Sequence, residues 1–398
     1  MTFAEITKTL GITEYPEQME EICRQVEAGA KPLFDRELID RLHQEMALYG
    51  PYYDAVVAGY EDLLTKPQAY CYAQVASYYL QTATYTQAKN IPIPAPDGSP
   101  ALDMLPLLVE ITKVDYGIAE YQRRGVSEQD AKARITRVFS SDIGVNIRRH
   151  GRPGLDQLYF NWITNYIYAM IFPCNGFYFN IGTVGKSFYV LKNKKDGRVA
   201  VLLDNRDVHR CGKILGSAGL EDTEGSFHID VVCADDGWYG YPADEKGLIR
   251  NEKQFFPKDS WKLAVNPGDN CLNIHLPGGM RLDKEATPEA IKAAFRHAKT
   301  FYSDYSVKAL HCGSWLLNPE LIEILGPDSN IVAFASLFHL HPNKCAGKGV
   351  FNFVFKTSVN PDLNTLAEDT RLQRWLKAKY LAGGYHHNFG GFILPEDL

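Results

Sequence analysis

The sequence has no excess of positive charge, no long apolar run and no paired-cysteine motif, and each absence removes a class of function. Its 42 Lys and Arg stand against 48 Asp and Glu, a net charge of -6. That balance argues against nonspecific nucleic-acid binding, which draws on basic patches. One short basic cluster, Arg148, Arg149, His150 and Arg152, reads as a solvated turn. No stretch reaches the roughly 18 apolar residues of a membrane span. The N-terminus, MTFAEITKTLGITEYPEQMEE, carries acids early and has no apolar signal core. The expectation is a cytoplasmic protein that binds neither nucleic acid nor membrane. The 8 cysteines, at 23, 71, 174, 211, 233, 271, 312 and 345, include no CxxC pair. In a reducing compartment they read as free, mostly buried thiols, with neither disulfides nor structural zinc. The histidine pairs His339/His341 and His386/His387 come with no HExxH or third-ligand spacing, so no metal site is expected.

What is present is an ordinary core-forming chain, 45% hydrophobic and rich in aromatics, with 23 Tyr and 20 Phe among its 398 residues. The first 150 or so residues read as helical. Met19, Ile22, Cys23 and Val26 recur at three- and four-residue spacings, one stripe of a helix. The stretches KPQAYCYAQVASYYLQTATYTQAK and ALDMLPLLVEITKVDYGIAEYQRRG carry the same period and are joined by the Pro-rich IPIPAPDGSPA. Ser127 with Asp130 resembles a capping box opening a helix through Val138.

Near Gly151 the character changes. An aromatic, helical stretch leads into strand-like text. SFYVLKN and RVAVLLDN, joined through Asp196-Gly197, are the clearest hairpin. FHIDVVCA and CLNIHLPG read as strands, and TPEAIKAAFRHAKTFYSDY as a helix with Thr287 at the N-cap and Pro288 at its first position. SVKALHCGSWLL is a strand, NPELIEIL a short helix and GVFNFVFKTSV a last long strand. Two domains follow, a helical one over 1–155 and an α/β (α+β) one over 156–398, with helices interleaved among the late strands of an otherwise antiparallel sheet.

Three places carry candidate chemistry. Leu-Pro-Gly278-Gly279 ends a strand ahead of a helix, where bare backbone and an electropositive helix end favour phosphate, or where Pro-Gly-Gly simply turns the chain. Arg281 and Lys284 stand beside it. His275 shares a strand face with Asn273 and is either a proton carrier or a hydrogen-bonded core residue. His311, Cys312 and Ser314 set a base beside nucleophile types, but neighbours on a strand face opposite sides, so His311 does not activate Cys312. Asn318 is placed to cap the helix that follows Pro319.

The phrases Leu272-Asn-Ile-His-Leu-Pro-Gly278-Gly279, Cys312-Gly-Ser314-Trp315-Leu-Leu-Asn318-Pro and Ser329-Asn330-Ile331, in this order of elements, resemble bacterial acyltransferase-domain proteins with a helical N-terminal domain and a GNAT-like C-terminal domain. The resemblance implies a largely antiparallel mixed sheet flanked by helices and transfer of an acyl group from acetyl-CoA or another acyl-CoA to a small-molecule amine. It implies Gly278, Gly279 and Arg281 at the cofactor phosphates, Asn318 at the pantetheine arm, and His275 and Ser314 as catalytic proton carrier and hydroxyl donor. Two departures stand out. Seven residues separate Gly279 from Thr287 where the family's loop leads straight into its helix. Ile181-Gly182-Thr183-Val184-Gly185 also lacks a basic residue that the family usually carries. The alternative is a non-catalytic GNAT-like ligand-binding module that has lost the phosphate loop.

Overall fold

The computed structural model describes residues 2–277, 280–357 and 360–398, apart from the side chain of Arg149. The chain divides into two compact units, residues 1–171 and 172–398. The division falls after the aromatic helix that sequence reading gave to the second domain.

The first unit is helical. Its main elements are α1 (Pro67–Thr82), α2 (Pro100–Ile111), α3 (Val114–Arg123), α4 (Glu128–His150) and α5 (Gln157–Ile167). Ser99 caps α2 by accepting the Leu102 N–H, and Pro100 sits at the first turn, where its missing N–H costs nothing. α2 is buried from Asp103 to Ile111. The long 100–124 stretch is therefore two helices rather than one. Lys113 lies at the break and donates to the Leu80 and Gln81 carbonyls, at 2.7 and 3.1 Å, that end α1. Ser127 caps α4 as its sequence suggests, but the helix runs on to His150. Arg152 of the basic cluster is not merely solvated, because it pairs with the buried Asp103 carboxylate.

The second unit is built on a six-stranded sheet. Its strands are β1 (Ile171–Cys174), β2 (Phe177–Thr183), β6 (Asn270–His275), β7 (Val307–Ser314), β9 (Phe389–Ile393) and β8 (His339–Pro342), in that spatial order. β6 and β7 are parallel, while β2–β6, β7–β9 and β8–β9 are antiparallel. The parallel pair is bridged by helix α6 (Ala286–Phe301), as such a pair requires. A smaller sheet of β3 (Phe188–Asn193), β4 (Val199–Leu203) and β5 (Trp261–Val265) packs on one face of the large sheet. Val190, Val201, Leu203 and Val265 there meet Cys271, Ala309 and Phe392. α6 covers the opposite face, its His297 ring 4.3 Å from Phe172.

Three sequence expectations change. The expected strand GVFNFVFKTSV, whose last two residues lie outside the described ones, is replaced at Phe351–Phe355 by a π-helical turn that buries Phe351 and Phe355 and leaves Phe353 outside. The alternating phenylalanines mimic a strand, but positions four apart share a side of a helical turn. Among the strands that sequence reading missed is β9, whose Gly390-Gly391 looks like a breaker. A Cβ at Gly390 would lie 2.1 Å from the His341 ring, so the close approach of β8 and β9 excludes any side chain there. FHIDVVCA splits into Phe227–Ile229 and Val232–Cys233, which join separate small sheets.

Candidate functional site

The paired positions of β6 and β7 run from Asn270–Val307 to Asn273–His311 and stop there. Each strand nonetheless continues, held by its outer neighbour. β6 stays paired with β2 as far as His275–Tyr178, and β7 stays paired with β9 as far as Ser314–Phe389. The sheet therefore opens between two strands that keep their outer partners. Such an opening offers strand backbone to an extended ligand.

On the face covered by the small sheet, Asn180, Asn273, His275, His311 and Gly313 border this opening, since directly paired residues share a face. His275 Nε2 lies 2.6 Å from Asn180 Oδ1. The Asn180 amide nitrogen donates to Ile181 O, so its oxygen is the acceptor and the His275 ring donates from Nε2. When the imidazole is neutral, Nδ1 then carries the lone pair.

His311 sits beside the last paired position. Its ring stacks on His341 at 5.6 Å and 9° between planes, with Phe392 4.8 Å away. Its Nε2 is buried and has no hydrogen-bond partner among the described residues, and the same holds for His341 Nε2. Burial pushes the His311 pKa down to about 4. His341, fully enclosed, is pushed to about 3 by burial and then by His311. Both rings are neutral at physiological pH.

The same face opens into a recess of about 620 Å³ whose walls include Phe188, Arg206, Asp207, Glu221, Asn343 and Lys344. Phe188 lies 4.6 Å from the His341 ring, and the Asn343 amide is 3.3 Å from where a Cβ on Gly313 would stand. The recess thus reaches the opening through Phe188 and Asn343. In it, Arg206 donates to Asn205 O at 3.0 Å.

The other expected site residues are placed as follows. Ser314 accepts the Leu316 N–H at 3.2 Å and caps the 3₁₀ turn Trp315–Leu317, so its hydroxyl is engaged with the backbone. Cys312 faces away from His311, and burial pushes its thiol up to about 12. Asn318 is 1% exposed and committed to the chain: its amide donates to His387 O at 3.0 Å and its oxygen accepts the Glu320 N–H at 2.9 Å. That engagement assigns it a structural tie to the His386-His387 loop. Those two histidines bond the carbonyls of Trp315 and Ala218. Arg281 is exposed, and Lys284 pairs loosely with Asp328 at 3.7 Å. Gly278 and Gly279 lie outside the described residues.

One expected cap is corrected. α6 starts at Ala286, and its first amides are satisfied by Asp283, whose carboxylate accepts the Glu285 and Ala286 N–H groups at 2.9 and 2.8 Å. Thr287 is already inside the first turn, where its hydroxyl accepts the Asp283 N–H. Asp four residues ahead of Thr-Pro is the stronger acceptor for a helix N-terminus, which prefers a negative charge.

These elements, an open parallel pair bridged by a loop and a helix, match a known architecture. The sequence profile of the GNAT-like C-terminal domain family matches residues 193–393. The chain belongs to that family. Among solved structures, an acyltransferase in complex with decanoyl-CoA and teicoplanin superimposes over 99% of both chains with a TM-score of 0.60 at 16% identity. An acyltransferase in complex with decanoyl-CoA gives 0.61 at 15% identity, and a mutant acyltransferase in complex with octanoyl-CoA gives 0.59 at 16%, again over 99% of both chains. At such identities the likeness is one of fold. No curated protein sequence matches the chain. No helix among the described residues is long and apolar enough to cross a membrane.

Sequence reasoning passed over His311 because it tested the ring only against Cys312, its neighbour in the chain. The true neighbours, Asn273 and His341, stand on other strands and become visible only once strand order and register are known.

Proposed function

We propose that the second unit is an acyl-CoA-dependent N-acyltransferase whose acyl donor lies in the opening between β6 and β7. The observation that carries this reading is the end of β6–β7 pairing at Asn273–His311 in a GNAT-like domain, with a neutral imidazole beside the gap. The pantetheine arm is extended and bears amides, so it suits strand edges that have lost each other as partners. Its solved fold neighbours were captured with acyl-CoA compounds, and one of them with teicoplanin.

In this reading the acceptor amine approaches from the 620 Å³ recess. Its nitrogen attacks the thioester carbonyl, the C–S bond breaks, and the thiolate leaves with CoA. As the C–N bond forms, the nitrogen becomes strongly acidic, so even a weak base takes its proton. The neutral imidazole of His311, whose Nε2 has no partner among the described residues, is assigned that role. His275, oriented by Asn180, is assigned to the outer side of the gap. Bare backbone at Gly278 and Gly279, with Arg281, is the proposed seat of the cofactor phosphates. A cytoplasmic setting accords with 8 cysteines that are all free thiols.

A second reading, a binding module without catalysis, draws on Asp283. Its carboxylate already accepts the N-cap Glu285 amide and the first amide of α6, at Ala286, where a phosphate would otherwise sit. Calorimetry separates the readings in part: acetyl-CoA should bind with one-to-one stoichiometry. A flat titration at millimolar cofactor would remove the transferase reading.

A further inference from the structure

Residues 206–216 form a hairpin apart from the large sheet. Val208 bridges Ile214, the His209 N–H donates to Lys213 O at 2.8 Å, and the Leu215 N–H donates to Asp207 O at 2.9 Å. The legs of the hairpin, through Arg206, Asp207 and Ile214, line the 620 Å³ recess. Its tip lines a second recess of about 350 Å³, together with Phe227 and Arg250.

Cys211 is at that tip and is exposed, whereas His209 is only 7% exposed. The His209 Nδ1 lies 3.0 Å from the Cys211 sulfur. The Cys211 backbone N–H donates to the same Nδ1 at 3.2 Å. A nitrogen that accepts an N–H carries its lone pair outward, so the ring proton of neutral His209 is on Nε2. His209 therefore faces the thiol as an acceptor. Two further features distinguish this thiol from an ordinary surface cysteine: the imidazole is fixed by burial, and the sulfur opens onto a cavity able to hold a small molecule.

We propose that Cys211 is a thiolation site for low-molecular-weight disulfides, with His209 as its base. The thiol proton passes to His209 Nδ1 and the thiolate attacks one sulfur of the disulfide. A new S–S bond joins Cys211 to half of the reagent as the old S–S bond breaks. The departing thiolate takes the proton back from His209. Cys211 is oxidised and the disulfide is reduced to one free thiol plus the bound half, so no other oxidant is required. The site stands independently of the acyl-transfer reading. Because the same hairpin walls the larger recess, the adduct also bears on whatever enters there.

The chain supplies its own control in Cys233, which is exposed and has no imidazole within hydrogen-bond reach among the described residues. The reduced full-length protein is treated with oxidised glutathione at pH 7, quenched by acid, and the mixed disulfide at each cysteine is timed by peptide mass spectrometry. Cys211 should react about tenfold faster than Cys233. His209→Asn keeps an acceptor for the Cys211 amide but cannot take the proton. It should bring Cys211 down to the rate of Cys233 while leaving Cys233 unchanged, which also shows that the fold survives. His209→Gln repeats the test with a longer amide. Equal rates at the two cysteines in the wild type would overturn the proposal, as would a Cys211 rate that either folded variant leaves intact. If neither variant folds, the wild-type comparison decides alone.

Discussion

The helical unit and the sheet unit each bury a pair of titratable side chains that lack full hydrogen bonding, and the two pairs have different uses. In the helical unit, Glu110 of α2 and Asp142 of α4 are 0% and 4% exposed, and Glu110 Oε2 and Asp142 Oδ2 have no partner among the described residues. Burial raises Glu110 well above the usual carboxyl range, and Asp142 raises it further. Burial likewise pushes Asp142 up to about 7. In the sheet unit, His311 and His341 are neutralised by the same physics, in the opposite direction. The carboxyls are enclosed by helices. The imidazoles border a strand opening and a recess. Burial thus dominates the charge state of these groups, and only position relative to an opening makes that charge state available to a ligand.

If that contrast is right, the largest effect belongs to His311. His311→Gln should lower release of free CoA from acetyl-CoA, with primary amines as acceptors, by roughly 10²–10⁴-fold, the usual worth of a general base. His275→Gln should cost less. The pH profile sharpens the assignment, because a base with a pKa of about 4 leaves the rate flat from pH 5 to 8 on its acid side. An ordinary histidine base would give a limb near about 6.5.

The carboxyl pair should register in stability instead. Below the ordinary Asp value both folded and unfolded chains hold the Asp142 proton. As pH rises toward 7 the unfolded chain releases it while the native chain keeps it, so stability falls, and the loss is complete once pH exceeds about 7. The expected loss is on the order of a few kcal/mol. Asp142→Asn, which never ionises, should flatten that slope in urea unfolding followed by circular dichroism, and should leave acyl-CoA affinity alone.

Gly390 comes next. A methyl group there would stand 2.1 Å from His341 Cε1, so Gly390→Ala must displace the stacked imidazoles. The expected cost is about 1–3 kcal/mol in urea unfolding. The smallest effect is at Asp283, where Asn keeps the cap and removes the charge. Asp283→Asn should tighten CoA binding by about two- to fivefold at low salt, and the gain should shrink as salt screens the charge. No gain at low salt would mean that the phosphates bind elsewhere.

Much of the architecture was legible because local signals agreed with it. Asp196-Gly197 turned β3 into β4 with Gly197 at φ +75°, and the apolar alternation of residues 270–275 gave β6. The change from helical to strand periodicity falls near residue 155, and the two compact units divide after Ile171. What was not legible depends on contacts far apart in sequence. Gly390-Gly391 reads as a breaker until His341 is known to lie against it. Asp283 reads as a loop acid until its carboxylate is seen on the amides of α6. His311 reads as a poor partner for Cys312 until β6 and β8 bring Asn273 and His341 to it. The roles of His275 and Ser314 came from the family resemblance, and the structure shows both side chains already engaged, with Asn180 and with the Leu316 amide.

The central claim is that the gap between β6 and β7 holds the acyl donor. Gly313 borders that gap and is exposed in the middle of the sheet, and among the described residues a Cβ there meets only the Asn343 amide, at 3.3 Å. Valine favours strands, so Gly313→Val should fill the gap without unfolding the protein. The decisive measurement is calorimetric titration of wild type and Gly313→Val with acetyl-CoA, alongside their melting temperatures. The account predicts one-to-one binding by the wild type, weakened at least tenfold in the variant, a loss of about 1.4 kcal/mol, with melting unchanged. Equal affinity in both proteins, or no binding by the wild type, would contradict it.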